Sequence, residues 1–135
     1  MSAVYPNFRE QLIDWAINQS APAGLAFYVI GVDSSYVYSA AHVDLVDVIG
    51  GSIQASEQPI LNVTYVDGII NGDDVEFSGL TLAEEITALI VYLKDGIGDS
   101  YLAAYIDEST NASLPATIGT STGLLSWNAS GIFRV

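Results

Sequence analysis

Cysteine is absent from this 135-residue chain, which excludes a disulfide framework, a thiolate metal site and a cysteine nucleophile. Histidine occurs once, as His42, so no centre that needs two histidines can form. Basic side chains are almost as scarce: Arg9, Lys94 and Arg134 stand against sixteen Asp and Glu, for a formal net charge of −13. Such a surface repels phosphate, so no nucleic-acid partner is expected. Long apolar runs are missing too. The longest, residues 86–93 with Thr87 inside it, falls far below the ~20 residues of a spanning helix, so no membrane partner is expected. The opening MSAVYPNFRE has no basic leader followed by an apolar core, and the expectation is a protein made and used in a cytoplasm, or in something assembled there. The sequons at Asn62, Asn111 and Asn128 then read as products of composition.

What is present is apolar. Half of the residues are hydrophobic and only 14 % are charged, and the mean hydropathy is +0.39, too high for a disordered chain. Residues 1–135 read as one domain, long enough to bury roughly two-thirds of its unfolded surface. Residues 7–20 carry the helical pattern. Asn7 is placed to cap it, with Glu10 three positions on as a capping-box partner,. Phe8, Leu12, Trp15 and Gln19 follow helical spacing, Ile13, Ala16 and Ile17 widen the apolar stripe, and Pro22 and Gly24 stop it,.

Residues 25–135 form a β-body. Residues 25–32 are a continuous apolar run, the mark of a strand covered on both faces,. Tyr36, Val37 and Tyr38 suit a short strand, while residues 40–51 leave a short helix and a loop equally open. Residues 60–66 alternate, with Leu61, Val63 and Tyr65 on one side and Asn62 and Thr64 on the other,. Asp67-Gly68 and Asn71-Gly72 mark tight turns. Further strands are expected at 75–77, 86–93, 101–106, 124–128 and 132–135, with a hairpin over 94–100 and a turn at Ser130-Gly131. One short helix with about seven to nine strands at roughly ten-residue spacing predicts a mainly β domain, sandwich or barrel-like and jelly-roll-like in type.

Chemistry-bearing patterns are weak. Gly119 to Gly123 satisfies G-x-S-x-G, yet the following residues are strand-like and the single histidine lies upstream, so a hairpin loop is the better account of Ser121,. His42 near Asp44 and Asp47 could be oriented as a base, but no nucleophile or oxyanion site accompanies it. Asp67, Asn71, Asp73, Asp74 and Glu76 supply hard oxygen ligands of the kind Ca²⁺ takes, without the alternation of an EF-hand loop,. Glu84-Glu85 and Asp107-Glu108 are neighbours in sequence, and strand geometry sends neighbours to opposite faces, which makes a poor carboxylate dyad. No catalytic residue, cofactor or metal is therefore assigned.

Residues 68–115 resemble a family of small virion structural proteins of tailed bacteriophages, head decoration (cement) proteins or minor structural proteins without an assigned role. The resemblance rests on Asp73-Asp74-Val75 with Phe77, on Ala88 through Asp95, on Leu102 through Asp107, and on Leu114-Pro115, Trp127 and Ile132-Phe133-Arg134-Val135. It extends more loosely over the N-terminal half, and the stretch 116–123 and the loop between Asp95 and Tyr101 depart from it. It implies a non-enzymatic protein on the outer face of a phage head, assembled in the bacterial cytoplasm. The implied partners are the major capsid protein and further copies of itself, a trimer matching local threefold positions. A head–tail connector or tail component is the alternative. The candidate interface combines Phe8, Leu12 and Trp15 on the helix with the acidic turn residues Asp67, Asp73, Asp74 and Glu76. The carboxylates would meet basic coat surface, and they would sit badly beside packaged DNA.

Overall fold

The computed structural model of the chain describes residues 2–48, 52–78, 84–107, 116–118, 122–125, 127 and 131–135. It is a mainly β, sandwich-like single domain with antiparallel sheets and one helix near the N-terminus, as composition and spacing predict. The strands are shorter and more numerous than the sequence suggests. They run β1 Ser2–Val4, β2 Ala26–Val32, β3 Ile53–Pro59, β4 Thr64–Val66, β5 Ile69–Asn71, β6 Val75–Ser78, β7 Glu84–Ile86, β8 Ala88–Lys94, β9 Ser100–Ile106, β10 Ala116–Ile118, β11 Thr122–Leu125 and β12 Phe133–Arg134, with helix α1 over Pro6–Asn18.

The largest sheet has the order β1-β9-β8-β2-β3. Its centre is β8, buried at every position except Lys94, as a strand covered on both faces requires. β2 is covered only over its second half; Ala26 is exposed and Phe27 and Tyr28 are partly so. Register divides the aromatic residues between the two faces. Phe27 pairs Leu93, which pairs Tyr101, while Tyr28 pairs Tyr92 on the opposite face,. Helix α1 lies on the first face: Phe8 meets Phe27 edge-on at 6.5 Å and Trp15 meets Tyr101 at 5.0 Å and 86°. Ladders β6–β11 and β7–β10 and the three-stranded sheet β12-β5-β4 complete the body, with β6 and β7 packed against β3.

The helix begins differently from the expectation built on Asn7 and Glu10. Tyr5 is the N-cap, without a side-chain cap, and Pro6 occupies the first turn. Tyr5 is held from outside the helix: its N–H donates to Ala103 O at 3.0 Å and its hydroxyl bonds that of Tyr36 at 2.7 Å. Pro6, with φ already set and no N–H to satisfy, starts the helix directly behind it. The helix ends at Asn18, where Gln19 takes a left-handed C-cap with φ 50°, so the stop comes before Pro22. The apolar stripe is also narrower than expected. Phe8 and Trp15 are buried and Leu12 is half-buried, but Ala16 is exposed and Ile13 and Ile17 stand 59 % and 74 % exposed.

Other expectations shift for local reasons. Residues 36–38 form no strand, because Asp33 Oδ1 accepts the Ser35 N–H in a turn and the Tyr36 and Tyr38 rings pack against Tyr105 instead. Over the described part of the open stretch 40–51, residues 40–48, the chain makes a 3₁₀ turn, Leu45–Asp47, capped by Asp44. In 60–66 only β4 is strand, since Asn62 sits at φ 52° and breaks the extended run, leaving Leu61 and Tyr65 exposed. Asp67-Gly68, both left-handed at φ 52° and 77°, make the two-residue turn joining β4 to β5,. Asn71-Gly72 does not turn a hairpin; Asn71 ends β5. Residues 86–93 divide at Thr87, whose N–H donates to Val32 O at 2.9 Å. The 94–100 hairpin forms as expected, with Asp95 Oδ1 accepting the N–H groups of Ile97 and Asp99. Of the G-x-S-x-G stretch, Gly119, Thr120 and Ser121 lie outside the described residues, as do Glu108, Asn111, Leu114, Pro115 and Ser130.

Candidate functional site

An apolar concavity lies where α1 meets the β4–β5 hairpin. The helix presents Phe8 and Leu12, the large sheet contributes Phe27 and Leu93 from the face that α1 covers, and the hairpin closes the rim with Tyr65, Asp67 and Ile70. The groove holds about 470 Å³. Two of its wall rings, Phe8 and Phe27, are backed by Phe133, the three mutually edge-on at 6.1–6.5 Å, a favoured ring geometry. The rim is braced from the C-terminal strand, where Arg134 Nη1 donates to Asp67 O and the Val135 N–H donates to Gly68 O, each at 2.8 Å. These bonds leave the Asp67 carboxylate at an exposed turn. Beside it Tyr65 and Val66 are 78 % and 66 % exposed, although they belong to a strand.

The geometry thus unites part of the residue set singled out by sequence. Phe8, Leu12 and Asp67 line one groove. Trp15 does not reach it; it packs on Tyr101 further along the helix. Asp73, Asp74 and Glu76 form a separate region, in which the Asp73 and Asp74 carboxylates serve the fold. Asp73 Oδ2 accepts from Asn62 Nδ2 at 2.6 Å, Asp74 Oδ1 accepts the Trp127 N–H at 3.0 Å, and Trp127 Nε1 donates to Asp73 O at 2.9 Å. Glu76 alternates with buried Val75 and Phe77 along β6 and points to solvent. Among the described residues no group of three or more His, Asp or Glu side chains is placed to hold a metal ion.

His42 is likewise committed to structure. Its Nδ1 shares a 2.8 Å hydrogen bond with the Tyr36 hydroxyl, which in turn meets Tyr5. Burial pushes the Tyr5 phenol up, helped by Tyr36, and burial raises Tyr36 as well, so both are neutral hydrogen-bonding groups. The neighbouring acids do not orient the imidazole: Asp44 accepts from Val46 N–H, and Asp47 accepts from the N–H groups of Val43 and Asp44.

One polar cluster escaped the sequence reading altogether. On the face of the large sheet opposite α1, Glu57 of β3 takes the Tyr92 hydroxyl on one oxygen and Lys94 Nζ, at 2.6 Å, on the other. Lys94 also stands 4.9 Å over the Tyr28 ring. Desolvation pushes the Glu57 carboxyl up, yet the Lys94 and Tyr92 hydrogen bonds outweigh it and hold the group below its ordinary range. Burial, then Glu57, pushes the Tyr92 phenol up. Nothing in the local sequence around Glu57 announces this, because its partners come from β8.

Chemically, the groove can seat an apolar side chain under an acidic rim, with Tyr65 and Asp67 the titratable side chains of its lining among the described residues. Among the described residues no helix is long and apolar enough to cross a membrane. No protein-family model, curated protein or solved structure matches the chain.

Proposed function

We propose that this chain is a docking protein of a tailed-phage virion, a decoration protein that binds the outer face of the head shell and reinforces it. The observation that carries the reading is the apolar groove of Phe8, Leu12, Phe27 and Tyr65 left open under the Asp67 turn, on a chain of net charge −13. Its occupant is a segment of the major capsid protein bearing an apolar side chain flanked by a basic one. The apolar side chain fills the groove, and the basic one meets Asp67. Filling such a groove is worth about 1.5–3 kcal/mol per side chain, roughly ten- to a hundredfold in affinity. Weak contacts of that size hold a shell when they are repeated across it and when the protein binds as a closed oligomer, a trimer on local threefold positions. The resemblance of residues 68–115 to virion structural proteins supports the same setting, and the acidic surface favours a place away from packaged DNA.

Copy number in purified particles tests the reading. A decoration protein approaches the coat protein in abundance, and Leu12→Glu, which puts a charge into the groove, lowers its occupancy while the soluble protein stays folded. Light scattering on the purified protein should show a closed oligomer. A copy number near a dozen, with labelling only at the tail vertex, replaces the shell reading with a connector. Absence from particles, or occupancy unchanged by Leu12→Glu, refutes the role of the groove.

A further inference from the structure

Of the three cations in the chain, Lys94 is engaged by Glu57, whereas Arg9 and Arg134 line one open cavity of about 430 Å³. The cavity is bounded by β1 and β9, with Val4 beside its register partner Ala104, and by Phe133 of β12. Among the described residues neither guanidinium meets a carboxylate. Arg134 donates from Nη1 to the backbone oxygen of Asp67, and Arg9 sits exposed in the first turn of α1, where unsatisfied helix N–H groups disfavour a cation. In a chain with sixteen acids and three bases, two arginines at one open cavity, neither meeting a carboxylate among the described residues, are an arrangement suited to an external anion.

We propose that this cavity recognises a carboxylate monoanion carried on an apolar body. Guanidinium groups match a carboxylate in plane and in hydrogen-bond spacing, and the part-exposed Val4, with the largely buried Phe133 beside it, offers the apolar body a surface. The charge of the anion is selected by the rest of the molecule. A net charge of −13 repels a dianion about twice as strongly as a monoanion. Asp107, which hydrogen-bonds Tyr105 in the cavity lining, adds a further local negative charge. The site is separate from the apolar groove and does not depend on the shell reading. The carboxylate has two possible sources, a free organic acid or an acidic side chain of a second copy of this chain.

Amide chemical shifts of the full chain, followed by NMR at constant ionic strength during titration with benzoate, test the site. Expected are saturable shifts at Val4, Ala104 and Ile106, with inorganic phosphate at least about tenfold weaker. Arg9→Gln should weaken benzoate by about tenfold, the scale of one lost charge-assisted hydrogen bond, with an unchanged thermal midpoint. Arg134→Gln should weaken it as well, but that variant also frees the Asp67 carbonyl, so Arg9→Gln is the cleaner probe. A dilution series without ligand separates the sources. Shifts of the same amides on dilution, reversed by benzoate, identify a second copy, and shifts that stay still on dilution identify a free acid. Absence of saturable shifts at tens of millimolar benzoate overturns the proposal, as do phosphate binding equal to benzoate and indifference to Arg9→Gln.

Discussion

Phe8→Ala examines whether α1 is welded to the β-body by one narrow stripe. Phe8 is 1 % exposed and its ring meets both Phe27 and Phe133 edge-on, so truncation removes the transfer energy, opens a cavity and loses two ring contacts. Buried Phe→Ala changes cost about 3–5 kcal/mol, and each ring pair about 0.5–1.5 kcal/mol of that sum. A domain of this size has about 5–15 kcal/mol in total, so the variant should retain its fold with its midpoint lowered by roughly 10–20 °C. Urea is the better denaturant here because, unlike guanidinium chloride, it does not screen the self-repulsion of a chain at −13,. The urea midpoint should fall with an unchanged slope, the signature of altered stability alone. Ile17→Ala is the internal control: at 74 % exposure it should change stability by no more than about 0.5 kcal/mol. If Ile17→Ala costs as much as Phe8→Ala, or if Phe8→Ala costs less than about 1 kcal/mol, the helix does not face the sheet as described.

Gly31→Ala should destabilise by about 1–3 kcal/mol through overpacking, because the new Cβ would stand 2.9 Å from Ala55 Cβ and 3.0 Å from Ile86 Cδ1; a neutral thermal midpoint would count against that close approach of β2, β3 and β7. Asp74→Ala strips the acceptor from the Trp127 N–H and should cost about 1–3 kcal/mol with a red-shifted tryptophan emission, while Asp74→Asn, which keeps an oxygen there, should restore most of both. Glu57→Gln should lower stability at neutral pH. Because the Glu57 carboxyl is held below its ordinary value, the contribution is fully present above about pH 5 and is lost as pH falls through the folded pKa, so the gap between wild type and variant should close below about pH 4. A gap that widens in acid would show the sign to be wrong.

Several features follow from residue type and need no distant partner. The mainly β class is written in the apolar runs of β8 and β9, whose neighbours on both faces any covering layer would satisfy. The Asp67-Gly68 turn needs only two residues that tolerate positive φ, and the net charge is a count. Tertiary structure decided the rest. β3, Ile53–Pro59, carries Gln54, Ser56, Glu57 and Gln58 and shows no clean alternation, because it is an edge strand with a register shift against β2; its place depends on the surface that β2 offers. Ile13 and Ile17 look like core by spacing and are exposed, since the sheet supplies ring partners only for Phe8 and Trp15. Asp73 and Asp74 look like free ligands, yet the Asp73 carboxylate accepts from Asn62 and the Asp74 carboxylate from the Trp127 N–H, the latter a contact more than fifty residues away in sequence. The groove and the two-arginine cavity join residues from the first ten positions to residues from the last ten, such as Phe8 with Val135 and Arg9 with Arg134. Local sequence marks Phe8, Leu12 and Asp67 but not their meeting, because burial and charge pairing are settled by which surfaces meet, and only the folded sheet brings the two ends of this chain together.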